Sequence, residues 1–266
     1  MHSDRPTPVV LTSPPGLMTG IRTALRGLRR ALGNADVRRA YRRLVAVIFV
    51  VCVVLATLMI GGLWWWTSVP ADTSLWFATL MWVLRLAGSL IALIATPMLG
   101  LFTVNIVFPM LAEDVFFAGL RAVDPQRAAA LEAREGMSVV SSMWMTVTRM
   151  IYFLGLTVGS VCITLIPVVG AVAGPALQLW GTARVMSWEL LDPYFDKRDM
   201  KLQAQKEFVA RRTRAMVGFG MPAALVMAIP FAGPLMFGLV QAAAGDLLVT
   251  IDPNSEGVEQ VPLPVA

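Results

Sequence analysis

Charged and catalytic side chains are scarce in this chain of 266 residues. Only 15% of its residues are charged, and His2 is its single histidine. Histidine-based metal sites and Ser-His or Cys-His catalysis are therefore excluded. The two cysteines, Cys52 and Cys162, both lie in apolar stretches, where cysteine behaves as a small apolar side chain. Neither a disulfide framework nor a metal centre is predicted.

Two sequence signatures of enzymes and pumps are also absent. The chain contains no GxxxxGK[ST] loop, which would bind nucleotide phosphates, and no Gly-x-Ser-x-Gly turn, which would carry a nucleophile. We therefore expect no catalytic residue and no cofactor. An intramembrane enzyme is the poorest of the functions considered.

The chain is instead rich in apolar residues, at 57%. Residues 44–63 contain no charged side chain, and a helix of that length is about 30 Å long, the thickness of a bilayer's hydrocarbon core. Barrel strands would alternate apolar and polar residues, whereas these apolar stretches are continuous. The pattern predicts an all-α integral membrane protein.

Basic residues are concentrated before this first apolar run. Nine arginines precede it and only Asp4 and Asp36 oppose them, which by the positive-inside rule places the N-terminus in the cytoplasm. The C-terminus is expected on the same side, and the protein in a bacterial inner membrane. A basic rim that contacts anionic lipid headgroups explains the net charge of +5 better than nucleic-acid binding does.

The segments around this run divide the chain into one membrane domain, residues 16–251, and two ends. Residues 1–15 and the acidic tail 252–266 are predicted to be disordered. Residues 16–33 place leucines on one face and arginines elsewhere on the wheel, so we expect a basic amphipathic helix in the cytoplasmic interface. The alternative is that this helix packs on the protein's own flank.

Two long transmembrane helices are predicted. Trp64, Trp65 and Trp66 close the first one as an aromatic belt, and residues 67–74 form the external turn. Residues 75–111 are predicted to form one long, tilted second helix, which returns to the cytoplasm near Glu113 and Asp114. Residues 119–138 are polar and helical, and residues 184–214 form a basic cytoplasmic connector.

Two further apolar segments each contain a proline-and-glycine turn. One turn includes Pro167 and Gly170, and the other includes Pro230, Gly233 and Pro234. Their apolar arms are roughly 12 to 17 residues long, shorter than a full span. The pattern favours two re-entrant, hemi-penetrating helical hairpins, and the weak similarity of the turns is typical of transporters. Four slightly short full spans are the alternative.

The order of these parts resembles the CysZ-type sulfate permease family, which includes the etoposide-induced-protein homologues. The resemblance covers roughly residues 15–250 and rests on several short pieces in order. Those pieces are the amphipathic start, Arg38 and Arg39, Phe108 to Val115, Ile166 to Gly170, Leu191 to Pro193, Arg212, Gly218 to Gly220, and Ile229 to Pro234. The resemblance implies an oligomeric inner-membrane protein with two long helices and two half-depth hairpins that takes up sulfate.

Family members carry Gly-Leu-Arg-Arg before the first span, a motif associated with sulfate binding. The matching residues are Asp36, Val37, Arg38 and Arg39, so the resemblance implies that these two arginines bind the anion. Free N–H groups at a helix N-terminus and guanidinium donors beside them would stabilise it. Asp36 would be the N-cap and would occupy those N–H groups. The alternative role for the arginines is to anchor the helix at lipid phosphates.

Three other charged residues lie in or beside apolar stretches. Arg85, Arg149 and Glu113 could line a permeation path, since an ionisable group in a membrane faces a partner or water. Each arginine could equally pair with a carboxylate or extend to the interface. Glu113 could titrate if it is buried, although it projects about 100° away from Asp114 and cannot form a facing carboxylate pair with it.

Two functions therefore compete. The first is a channel or permease for a small oxyanion, with sulfate the first candidate, built as a homo-oligomer around the hairpins, with passive or ion-coupled transport. The second is a membrane scaffold or envelope protein that keeps the fold but has lost the anion site. The aspartate at position 36 favours the second.

Overall fold

A computed structural model describes residues 15–68, 73–107, 109–229 and 232–253. These residues form α-helices and no strand. The helices are α1 (Leu17–Gly33), α2 (Ala35–Trp66), α3 (Leu75–Val107), α4 (Pro109–Arg121), α5 (Pro125–Glu132), α6 (Val139–Thr164), α7 (Val169–Leu190), α8 (Asp192–Lys197), α9 (Leu202–Arg211), α10 (Thr213–Met227) and α11 (Ala232–Ile251). Most of the predicted disordered ends, residues 1–14 and 254–266, lie outside the described residues, as does Pro230.

The all-α membrane class predicted from the sequence is confirmed. Three segments are long and apolar enough to cross a bilayer, namely Ala35–Trp66, Leu75–Leu101 and Val147–Thr164. No more than 11% of the most apolar window in each segment is buried inside the protein. These helices therefore present apolar side chains outwards, as lipid requires.

The first long helix, α2, is capped by Asn34. The Asn34 side-chain oxygen accepts hydrogen bonds from the backbone N–H groups of Asp36 at 2.8 Å and Val37 at 3.2 Å. The prediction that Asp36 is the N-cap is therefore wrong, because the helix begins at Ala35 and Asn34 reaches both N–H groups. Asp36 lies in the first turn, where a carboxylate interacts favourably with the helix dipole.

Helices α2 and α3 run antiparallel and pack through small residues. A Cβ atom on Gly88 would meet the Leu63 side chain, and one on Gly100 would meet the sulfur of Cys52. The Cys52 thiol also lies 3.7 Å from the carbonyl oxygen of Thr96. Small residues allow such close approach where no hydrophobic effect drives helices together.

The predicted second long helix is described in two parts. Helix α3 runs to Val107 and α4 runs from Pro109, and Phe108 between them lies outside the described residues. One continuous helix over residues 75–111 therefore stays a prediction. Pro97 lies inside α3 without ending it.

Helix α1 packs on the protein through a face of small residues. Gly20, Thr23, Gly27 and Ala31 are buried, and the missing Cβ of Gly20 leaves room for the backbone of α10. The leucines of α1 stay exposed, with Leu25 at 60%. The helix thus packs on the protein's flank and still presents an apolar face outwards. Its location in the cytoplasmic interface stays a prediction.

The connector between the hairpins contributes much of the main core. Trp188, Tyr194, Phe195 and Phe208 are buried in one cluster with Phe116 and residues from α4, α5, α10 and α11. The sequence indicated only a charged cytoplasmic connector for residues 184–214. Its charged residues outnumber its aromatic ones, and burial of the aromatic face depends on helices far away in the chain.

The two predicted hairpins form as helix pairs, α6 with α7 and α10 with α11. Helix α10 has 15 residues, within the predicted arm length, whereas α11 has 20, α6 has 26 and α7 has 22. The first pair is longer because its helices continue past the apolar stretch into residues near Arg149 and Arg184. The structure contains no membrane, so half-depth insertion stays a prediction.

Candidate functional site

The α1–α2 junction holds the two arginines predicted to bind an anion, and the structure gives them different surroundings. Arg38 Nη1 donates to the carbonyl oxygens of Leu32 at 3.1 Å and Gly33 at 3.4 Å. These carbonyls belong to the last turn of α1, where helical partners run out. Arg38 therefore holds the junction together.

Arg39 is the more available of the pair. Its side chain is 68% exposed, and Nη1 lies 3.8 Å from an oxygen of Asp36, whose side chain is 71% exposed. An ion pair that is so exposed to solvent contributes at most about 1 kcal/mol to stability. An anion could therefore displace Asp36 at low cost. The N–H groups of Asp36 and Val37, however, already donate to Asn34.

Arg85 lies where α2 ends. Its Nε donates to the hydroxyl of Thr67 at 2.9 Å and its Nη2 to the carbonyl of Thr67 at 2.7 Å. The guanidinium also lies 5.2 Å from the ring centre of Trp64 and 5.5 Å from that of Trp82, within cation–π range. Arg85 thus neutralises the C-terminal end of α2, and a role in permeation stays a prediction.

Arg149 is buried and ion-paired. Its Nη1 lies 2.6 Å from Asp192 Oδ1, and its side chain is only 2% exposed. This pair joins α6 to the start of α8. Of the three charged residues predicted near apolar stretches, Arg149 is the one that the protein interior encloses most completely.

Glu113 lies close to this pair in a cluster of carboxylates. Lys197 Nζ is 3.0 Å from Glu113 Oε1, and Asp196 sits on the same short helix as Lys197. Burial, followed by the negative charges of Asp192 and Glu113, raises the pKa of Asp196 to about 6. The cluster therefore holds a carboxyl group that titrates near neutral pH. The sequence pointed to Glu113 and did not identify Asp196.

The raised pKa of Asp196 predicts a pH-dependent stability. A carboxyl whose pKa is higher in the folded state than its usual value near 3.9 stabilises the fold below about pH 4, and this contribution is lost as pH rises towards 6. We expect Asp196→Asn to raise the melting temperature at pH 7.5, by an amount equivalent to about 1 kcal/mol, and to have little effect near pH 4.

The measurement is thermal unfolding in detergent from pH 4 to pH 8. Asp114→Asn is the control, because it removes an exposed carboxylate from the neighbouring helix without touching the cluster. A melting difference between Asp196→Asn and wild type that stays constant over this range would disprove the assignment.

The turn of the first hairpin has an unusual backbone. Val168 has φ 63° and ψ −60°, and the N–H of Val169 donates to the carbonyl of Pro167 at 2.7 Å. This is a γ-turn of the rare, strained kind. Val168 is also 87% exposed. The apex of the hairpin is therefore a strained, apolar tip.

Gly170 and Gly233 occupy equivalent places in the two turns. A Cβ on Gly170 would overlap the carbonyl oxygen of Ile163 in the preceding arm, and one on Gly233 would lie 2.5 Å from the carbonyl oxygen of Met227. In both turns the glycine lets the second arm begin directly against the end of the first. The side chain of Pro234 lies outside the described part of the chain.

Asp246 is a buried charge whose importance sequence reasoning missed. Its side chain is 3% exposed and pairs with Arg30 Nη1 and, at 3.3 Å, with Arg26 Nε. The Arg30–Asp246 ion pair joins α1 to α11, and these two residues are 216 positions apart in the chain. The sequence does contain one signal of this pair, because a lone aspartate in an apolar helix needs a partner.

Asp252 forms a second unpredicted cluster at the end of α11. Its carboxylate accepts hydrogen bonds from Tyr194 at 2.9 Å, Arg127 at 3.2 Å and Arg212 at 3.4 Å. Arg212 also donates to the carbonyl of Ile251 at 2.6 Å. Asp252, which the sequence assigned to the disordered tail, is thus held in place.

Metal ligands do not cluster within the described residues. No group of three or more His, Cys, Asp or Glu side chains there is arranged to hold a metal ion, and both cysteines are free thiols. Most of the basic residues are arginines, which bind oxyanions well through bidentate hydrogen bonds.

Most of the chain matches the model of a known family. Residues 27–237 match the family model described as sulfate transporter CysZ/etoposide-induced protein 2.4. The matched part is more than half of the chain and includes the α1–α2 junction, α2 to α10 and the start of α11. It confirms the resemblance drawn from the sequence. A comparison with curated proteins gave no match.

Proposed function

Because the chain belongs to the sulfate transporter CysZ/etoposide-induced protein 2.4 family, we propose that it is a channel or permease for a small oxyanion, with sulfate the first candidate. The observation that carries this proposal is the family match over residues 27–237, which includes Arg38, Arg39, Pro167 and Gly170. We propose no catalytic step and no cofactor. Transport would be passive or coupled to an ion gradient.

The proposed membrane placement starts from the two long helices. Helices α2 and α3 cross the bacterial inner membrane, the tryptophans at the end of α2 lie at the outer interface, and both chain ends are cytoplasmic. Helix α10, with 15 residues, is about 22 Å long and falls short of a core of about 30 Å. The length of α10 supports half-depth insertion of this hairpin, whereas α11, with 20 residues, is about 30 Å long and could reach across the core.

The α6–α7 hairpin is proposed to enter the membrane from the cytoplasmic side as well. Its apex exposes Leu165, Ile166, Val168 and Val169, each more than half exposed. Such a patch is costly in water and suits lipid or a neighbouring subunit. The apolar part of α6 alone could cross the bilayer, so the depth of this apex decides between a re-entrant hairpin and two spans.

A homo-oligomer would provide the passage. Irregular backbone at membrane depth is tolerated where it is enclosed by protein or lines a water-filled cavity. The strained turn at Val168 is such a backbone. We therefore place the oxyanion path where the α6–α7 apices of neighbouring subunits meet, and we propose Arg39 as an anion-binding residue on the cytoplasmic side.

A scaffold without transport activity is the second candidate, and two observations favour it. The N–H groups that would bind an anion donate to Asn34, and Asp36 lies beside Arg39. Both features reduce anion affinity at the α1–α2 junction. Under this alternative the arginines contact lipid phosphates only.

Flux of labelled sulfate into proteoliposomes separates the two candidates. The permease proposal predicts uptake above that of protein-free liposomes, with saturation as the sulfate concentration rises. Uptake no greater than in protein-free liposomes, from protein that is folded and oligomeric, would reject the permease and favour the scaffold.

Arg39→Gln is expected to weaken sulfate binding roughly tenfold, because it removes a charge-assisted hydrogen bond. The change should raise the sulfate concentration needed for half-maximal flux and leave the melting temperature nearly unchanged. Arg43→Gln is the matched control, since Arg43 is an exposed arginine one helical turn further along α2.

Asp36→Asn should act in the opposite direction and tighten binding roughly two- to fivefold, because it removes a competing carboxylate. Equal effects of Arg39→Gln and Arg43→Gln would show that only the general surface charge matters. In that case Arg39 would have no place in the mechanism.

A further inference from the structure

We propose that a groove under α1 binds one acyl chain of a phospholipid, and that Arg22 and Arg29 hold the phosphate of that lipid. The inference rests on the membrane placement given under the proposed function and does not require sulfate conduction. It concerns one defined lipid site and not general contact with the bilayer.

The groove lies between α1 and the α10–α11 hairpin and is lined only by apolar side chains. Its walls include Leu25 and Leu28 from α1, Phe219 and Pro222 from α10, and Val240 from α11. The groove is open along one side, and its enclosed volume is about 50 Å³. It therefore takes only a short stretch of one alkyl chain and not a whole lipid.

The groove opens on the membrane side of α1. Helix α1 contacts Asp246 of α11 and the backbone at Ala215 of α10. Along α10 and α11, the groove residues Pro222, Val226 and Met236 lie nearer to the hairpin turn than Ala215 and Asp246 do. In the proposed placement the hairpin turn points into the bilayer. The groove therefore lies at the depth of the acyl chains.

The edge of α1 that faces away from the groove is basic. At 100° per residue, Arg22 and Arg29 project about 40° to 60° to one side of Leu25, whereas Ala24 and Leu28 lie on the other side. Both arginines are exposed, and neither makes an ion pair with another described residue. Arg26 and Arg30, by contrast, are occupied by Asp246 and fix the rotation of α1.

This arrangement matches the two ends of a phospholipid. A chain in the groove places its glycerol phosphate beside α1, where two long guanidinium side chains can extend to the headgroup level. The charge argues against two other occupants, a second copy of the chain and the N-terminal residues. A second copy would bring its own basic edge to the same depth, and residues 1–14 carry one Asp4 and one Arg5 and so add no net negative charge.

Native mass spectrometry with added lipid tests the site. The purified protein is titrated with phosphatidylglycerol or phosphatidylcholine, and bound lipids are counted per chain. We expect Arg22→Gln/Arg29→Gln to weaken phosphatidylglycerol binding about thirtyfold and phosphatidylcholine binding much less. Ala24→Leu narrows the groove and should weaken both lipids alike.

The matched control is Arg42→Gln/Arg43→Gln, which removes the same charge from exposed arginines on α2. An equal loss in this control, or unchanged lipid binding by Ala24→Leu with unchanged melting, would overturn the inference. Dissociation of the oligomer by Ala24→Leu would also overturn it, by showing that a second copy fills the groove. A protein that binds lipid in the expected pattern but conducts no sulfate would refute the permease alone.

Discussion

A Gly220→Ala variant is expected to lose about 3 kcal/mol of stability, at the upper end of the cost of overpacking a core. Gly220 lies in α10 against α7, and its added Cβ would overlap the carbonyl oxygen of Ala183 and lie 2.6 Å from the hydroxyl of Ser187. That buried hydroxyl donates to the carbonyl of Met216 at 2.6 Å. The two helices would have to separate, and the hydrogen bond would weaken.

The measurement is thermal unfolding in detergent, where the loss corresponds to a melting temperature lower by roughly 10 °C. Gly159→Ala is the matched control, because a Cβ at Gly159 meets no atom within 4 Å. In a helix interior alanine is better than glycine by about 0.5–1 kcal/mol, so this control should be neutral or stabilising. Equal behaviour of the two variants would contradict the close packing of α7 on α10.

Arg149→Met is expected to destabilise the protein by about 3 kcal/mol. The substitution fills a similar volume but leaves Asp192 without its buried partner, beside Asp196 and Glu113. Breaking a buried ion pair from one side costs about 3–5 kcal/mol. The lower figure applies because the Asp192 side chain is 30% exposed and keeps some hydration.

A double-mutant cycle separates the contribution of the ion pair to stability from the contribution of side-chain packing. Arg149→Met/Asp192→Asn should recover roughly half of the loss, because neither charge is then left alone. The control is Arg211→Met, whose guanidinium is 77% exposed and pairs with Glu207 at 3.8 Å. A double variant that is no more stable than Arg149→Met would remove the ion pair from the account.

The same double variant tests the permeation role predicted for Arg149. If Arg149 only stabilises the α6–α8 contact, the double variant in liposomes should retain sulfate flux in proportion to the folded protein. If it lines the path, flux should be lost although the fold is recovered. The two outcomes are separable because stability and flux are measured on the same sample.

Features with local signals could be predicted from the sequence. The apolar run 44–63 lies within α2, the tryptophans close that helix, and the turns around Gly170 and Gly233 separate paired helices. Each of these depends on neighbouring residues alone, such as hydropathy, aromatic clustering or proline and glycine in a turn. The all-α membrane class followed from them.

Features that depend on distant partners could not be predicted in the same way. Asp246 pairs with arginines more than 200 positions away, and nothing in its local pattern names them. The alignment with the family motif favours Asp36 as the N-cap, whereas the helix begins at Ala35 and Asn34 caps it. The small-residue face of α1 was overlooked because amphipathicity emphasises leucines, although glycine and alanine make the closest helix contacts in membranes.

The depth of the α6–α7 apex tests the account most directly, because the proposed passage depends on it. A Val168→Cys variant is made after Cys52 and Cys162 are replaced by serine. Membrane-impermeant thiol reagents are then applied to each side of oriented vesicles. Ser74→Cys reports the side predicted to be external, and Lys201→Cys reports the cytoplasmic side.

A re-entrant hairpin that lines a wet passage predicts that the thiol at position 168 reacts from the cytoplasmic side and is protected from outside. Reaction from the outside as fast as Ser74→Cys would show that α6 and α7 cross the whole membrane. No reaction from either side would show a dry apex. Either result would contradict a passage built from half-depth hairpins.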